Sequence, residues 1–120
     1  IVYFHYPLRD GNLDKDSAKR LALLFEREGV DLIVTGHWEG LALGSTAAVS
    51  GSQTGIPILV LGSGGARSDR AHFKHVNFTL ADVKGDDMRL IVVNSLGATI
   101  AEGTLRRGTR NLQWSKWPAP

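Results

Sequence analysis

Two short runs of strand-forming residues, Ile1-Val2-Tyr3-Phe4 and Val30-Asp31-Leu32-Ile33-Val34, flank a segment with helical periodicity, and this arrangement leaves few folds open. Between them, from Asp14 or Asp16 to about Glu28, Ala18, Leu21, Ala22, Leu24 and Phe25 recur on one helical face, with Lys19, Arg20, Glu26 and Arg27 on the other. Asp14, Asp16 and Ser17 are candidate caps, and Gly29 is the expected stop. Strand, helix, strand with both strands continuously apolar predicts a βαβ unit with buried, parallel strands and a right-handed crossover. The carboxyl ends of its strands then lie side by side, and each delivers a histidine: His5 after the first, His37 after the second.

The second of these ends is the stretch Val-Asp-Leu-Ile-Val-Thr-Gly-His-Trp-Glu-Gly, residues 30–40. If it stays extended past Gly36, His37 and Glu39 point to the same side, at i and i+2, and Trp38 points away. His5, His37 and Glu39 would then face one small volume beyond the strands, where α/β proteins place their chemistry. Imidazole and carboxylate together suit Zn, Mn or Fe. Taken alone, a histidine at a strand end is more often a surface or hydrogen-bonded residue than a ligand.

Downstream, Pro7 ends the first strand, and Leu8–Leu13, with Asp10-Gly11-Asn12, reads as an exposed loop. Residues 41–52 are rich in small side chains and fit either a twisted strand or a loop. Ile58–Leu61 is a strand opened by Gly55-Ile56-Pro57 and closed by Gly62-Ser63-Gly64-Gly65, a tight turn or a phosphate cradle but not a P-loop. From His72 the pattern becomes β-only: about His72–Leu80, Met88–Asn94 and Ala98–Leu105, joined by Lys84-Gly85-Asp86-Asp87 and Ser95-Leu96-Gly97, predict an antiparallel meander. His72 and His75, at i and i+3 on a strand, face opposite ways and read as structural.

Residues 1–105 are thus expected to form one domain and 106–120 a terminal extension. In the latter, Arg106, Arg107, Arg110, Trp114, Lys116 and Trp117 fit a solvated tail folded over an edge better than a stacking surface for nucleic acid. A net charge of +2 gives no argument for a nucleic-acid or membrane partner, and no apolar run approaches the ~20 residues of a spanning helix. The absence of cysteine excludes thiolate sites, so a metal must be held by His, Asp, Glu, Asn or water. The chain opens at Ile1 inside a strand, without Met or a leader, as a processed or truncated start would.

With those residues in place, the sequence resembles the C-terminal half of a calcineurin-like metallophosphoesterase, the superfamily that includes purple acid phosphatases. His5-Tyr6-Pro7 stands for its His-x-Pro block, Val30 to Glu39 for its Val-Asp-Leu-x-x-x-Gly-His-x-His block, and Gly62–Gly65 for its Gly-x-Gly-Gly strand end, followed by the meander. The resemblance implies an α/β chain forming half of an α/β/β/α sandwich, whose parent hydrolyses phosphate esters with two divalent or trivalent ions, Mn, Fe, Zn or Mg. It implies that His5 and His37 ligate one metal, and that Glu39 stands where the family has the histidine ligand of the other. The family's Asp-x-His, Gly-Asp-x-x-Asp and Gly-Asn-His blocks are not found in these 120 residues. The resemblance therefore implies an incomplete site here, a missing N-terminal half or second chain as partner, and a poor catalyst in isolation. The alternative is an inactive binding or structural module of the same fold.

Overall fold

The computed structural model describes residues 1–8, 13–38, 40–61 and 77–118. In it the strand–helix–strand unit is formed by β1 (Val2–Phe4), α1 (Lys15–Arg27) and β2 (Ile33–Thr35), and the two strands are parallel, with Val2, Tyr3 and Phe4 opposite Ile33, Val34 and Thr35. Helix α1 starts where Asp14 Oδ1 accepts the Ser17 amide at 2.9 Å, and it ends at Gly29, whose φ of +71° lies in the left-handed region that glycine tolerates. Its buried stripe is Ala18, Leu21, Ala22 and Phe25. Leu24, expected on that face, is 40% exposed, because its place on the helical wheel lies off the stripe.

The small-residue segment 41–52 resolves into β3 (Leu41–Ser45) and a single helical turn, α2 (Ala47–Ser50). Strand β4 (Pro57–Leu61) pairs in parallel with β2 and antiparallel with β3, giving a sheet of order β1-β2-β4-β3. Alternation along β4 explains the layering. Ile58 and Val60 pack with Ile33, Ala22 and Phe25 on the helix side, whereas Leu59 and Leu61 pack with Leu32 and Val34 against a second sheet. A strand buried on both faces has to be continuously apolar, as this one is.

The second sheet is the expected meander with one strand more: β5 (Asn77–Lys84), β6 (Asp87–Asn94) and β7 (Thr99–Arg106), followed by β8 (Leu112–Lys116), each antiparallel to the next. Gly85, at φ +59°, opens the two-residue turn between β5 and β6. Met88, Leu90, Leu105, Leu112 and Trp114 face the first sheet. The chain is therefore an α/β/β stack, a mixed α/β half-sandwich.

Three expectations need correction. β1, expected to be buried, is the edge of its sheet, and Tyr3 is 84% exposed because no strand pairs beyond it among the described residues. Leu8, expected in an exposed loop, is 3% exposed and sits in the helix-side core, so the chain dives inward directly after Pro7. The segment after Leu105, expected as an extension, continues the sheet as β8. Trp114 lies flat on Gly103, where a Cβ would come within 2.8 Å of its ring, and meets Trp117 at a centroid distance of 4.6 Å. Both tryptophans belong to the inter-sheet core and are not free stacking platforms.

Of the arginines there, Arg106 and Arg107 make exposed 3.8 Å pairs with Asp87 and Asp86, an interaction of small net value. Arg110 does more, because it donates to the Glu26 and Val30 carbonyls and ties the last hairpin to the end of α1.

Glu26 is the polar joint on the other side. Its Oε1 accepts from Thr46 Oγ1 at 2.5 Å, Ser50 Oγ at 2.9 Å and Ser52 Oγ at 3.1 Å, fixing α2 and its loop to α1. Burial pushes this carboxyl up, but the hydroxyls of Thr46, Ser50 and Ser52, with the Arg110 guanidinium, outweigh it and hold the pKa below the ordinary value. A depressed folded-state pKa contributes stability that is present above the unfolded value of ~4.3 and is lost as pH falls through the folded value. The E26Q variant should thus be less stable at pH 7 by ~1 kcal/mol. The difference should shrink in denaturant melts below pH ~4; a difference constant down to pH ~3 would contradict this role for the charge.

Candidate metal centre

Parallel pairing of β1 with β2 sets the site. Past the last ladder pair, the Gly36 amide donates to the His5 carbonyl at 3.0 Å, extending the register by one hydrogen bond and clamping the two strand exits together. From there the side chains of His5 and His37 converge: His37 Nδ1 lies 3.2 Å from His5 Nε2, with ring centroids 5.2 Å apart and planes at 75°. Both rings are exposed, and the buried Pro7 and Leu8 anchor the chain directly behind them.

The backbone at His37 is not extended. Trp38 N–H donates to the Gly36 carbonyl at 2.8 Å, closing a three-residue γ-turn, and His37 at its centre has φ +65°. A non-glycine residue in such a turn is strained. The chain thus turns at His37, as soon as the β2 ladder ends, where extended geometry was expected. Glu39 lies outside the described residues, as do Gly62–Gly65, His72 and His75. Trp38 is 46% exposed.

Two imidazole nitrogens bound to one tetrahedral ion at ~2.0–2.1 Å would be about 3.3–3.4 Å apart. The observed 3.2 Å is close to that separation, and it equally suits an N–H···N hydrogen bond in the absence of an ion. The donor set is thus compatible with a borderline metal such as zinc, with water or a further side chain completing the shell. Among the described residues, no group of three or more His, Asp or Glu side chains gathers around a common point. What the arrangement can do by itself is offer two nitrogen ligands at an open, solvent-facing position.

Tyr6 is a third member of the site, one that reading the sequence did not single out. Its ring contacts His5 at 4.7 Å and 80°, and His37 at 4.5 Å and 60°, so the three rings form a closed triangle. The only sequence signal was its place inside His-Tyr-Pro, between a strand end and a proline.

No protein-family model matches the chain, and no curated protein sequence does. Among solved structures it is similar to Vps29 from Entamoeba histolytica. The likeness is one of fold alone. Wild-type Vps29 solved with zinc gives a TM-score of 0.49 at 17% identity, over 86% of this chain and 52% of that one. A single-substitution variant gives 0.44 at 18% identity, over 82% and 50%; a double-substitution variant gives 0.43 at 18%, over 93% and 51%. The chain spans about half the length of these structures. These matches do not point to purple acid phosphatases.

The strain at His37 has a measurable consequence. His37→Gly and His37→Ala both delete the ring, so their difference isolates the backbone. At φ +65° the glycine variant should be the more stable by ~1 kcal/mol, the reverse of the order at an ordinary exposed site. Equal denaturant midpoints, or a more stable alanine variant, would show that the turn is not strained.

Proposed function

We propose that this chain supplies part of the two-metal centre of a phosphoesterase, with His5 and His37 ligating one ion and Glu39 contributing to the other. The observation that carries this reading is the 3.2 Å approach of two nitrogens from histidines 32 positions apart, delivered by two separate strand ends. It agrees with the His-x-Pro and Gly-His-x-His-like blocks in order and spacing. Bound there, divalent ions would polarise phosphoryl oxygens and activate water. The chain's own residues have the simpler task of orientation. The γ-turn aims His37 at His5, and the Gly36–His5 clamp keeps the two strand ends from drifting apart.

The family's other ligand blocks are not found in these 120 residues, and we assign the docking of a polypeptide that carries them to the β1 margin. There Tyr3 points to the inter-sheet side, in register with Val34, yet is 84% exposed. Opposite it, Ala81 and Val83 of β5, aligned with the inward-facing Leu90 and Met88, are exposed as well, Val83 by 62%. Among the described residues both sheets thus end with inner-face residues uncovered, and a sheet edge left unpaired there favours strand addition. This polypeptide is either an N-terminal half of the same protein or a second chain.

The reading is tested by phosphodiester and phosphomonoester hydrolysis in Mn²⁺ or Zn²⁺. A protein that includes the Asp-x-His, Gly-Asp-x-x-Asp and Gly-Asn-His blocks should turn over and lose its activity on chelation. His5→Ala and His37→Ala should each reduce it by ~10²-fold or more. Residues 1–120 alone should be inactive, and brisk chelator-sensitive hydrolysis by them would overturn the division of the site. One departure from the family pattern favours a second reading, an inactive binding module: the carboxylate of Glu39 stands where the family has a nitrogen ligand. Glu39→His separates the two, because a gain in metal affinity and activity marks a decayed site, and a loss marks a working carboxylate.

A further inference from the structure

Both candidate ligands stand on the surface, where a histidine side chain ordinarily samples several rotamers and loses them on binding an ion. The backbone clamp fixes their Cα positions but not the ring planes. Among the described aromatic contacts, the one ring that meets both imidazoles is Tyr6, roughly edge-on to each, at 4.7 Å and 4.5 Å. Such tilted contacts have preferred geometry, so a single ring that touches both partners couples their orientations. Tyr6 is itself held from behind, since Pro7 and Leu8 are buried, leaving the phenol ring 44% exposed between the two histidines.

We propose that Tyr6 is a positioning residue for the metal pair: its ring holds the His5 and His37 imidazoles in the paired orientation before an ion arrives. The proposal rests on the metal reading above. It concerns the ring and not the hydroxyl, which makes no described hydrogen bond, so phenylalanine should replace tyrosine without loss. The analogy is with groups just outside a metal's own ligands, whose removal weakens binding by 10- to 100-fold.

The test is Co²⁺ binding to residues 1–120, read by visible absorption, with wild type, Tyr6→Phe, Tyr6→Leu, Tyr6→Ala and His37→Ala. Tyr6→Phe should keep the wild-type spectrum and affinity. Tyr6→Leu and Tyr6→Ala should bind about 10-fold more weakly, with altered band intensity. The leucine variant retains apolar bulk, so it reports even if the alanine variant folds poorly. If Tyr6→Leu binds within about twofold of wild type while His37→Ala does not bind, the positioning role is wrong and the metal site stands. If wild type binds no better than His37→Ala, the metal reading fails and the role of Tyr6 falls with it.

Discussion

The hydrogen bond from the Gly36 amide to the His5 carbonyl is the smallest feature on which the site depends. It prolongs a parallel ladder of three residue pairs by one step, and it does so at the carboxyl ends of the strands, where the chain must leave the sheet. Without parallel pairing, His5 and His37 would exit at opposite ends of the sheet. Two cores keep the ladder in place. Helix α1 covers one face through Ala18, Ala22 and Phe25, and the meander covers the other through Met88, Leu90 and Leu105. The hydrophobic burial is large and unspecific in direction; the register is what converts it into a defined pair of imidazoles.

Much of this was legible because it is periodic. The apolar Ile58–Leu61 segment read as a strand, and Met88–Asn94 and Ala98–Leu105, parted by turn residues, read as successive strands of a meander. The cap at Asp14, the stop at Gly29 and the turn at Gly85 follow from local chemistry and were found where that chemistry placed them. Exposure was less legible. Tyr3 lies in a wholly apolar run, and nothing in a run of four residues tells a central strand from an edge. Trp114 and Trp117 follow the Arg106, Arg107 and Arg110 run, whose charge disguised a core strand as a tail.

The site itself was half legible. Strand-end histidines could be picked out and their convergence inferred from the topology. The γ-turn at His37 could not, since a strained backbone has no composition signal when the residue is not glycine. Nor could the triangle with Tyr6, which depends on ring orientations that only the folded chain defines. Among the described residues two non-glycine residues take positive φ, His37 at +65° and Arg110 at +52°, and at a candidate ligand such a local conflict is of the kind that function sustains.

The central claim is that His5 and His37 bind one ion together, through Nε2 of the first and Nδ1 of the second. Long-range ¹H–¹⁵N correlation spectra of the imidazoles during a Zn²⁺ titration test it most directly. The ring resonances of these two histidines should move in concert and saturate at one ion per chain, with His5 Nε2 and His37 Nδ1 the atoms most displaced. Independent titration of the two rings, or a response confined to His72 and His75, would contradict it.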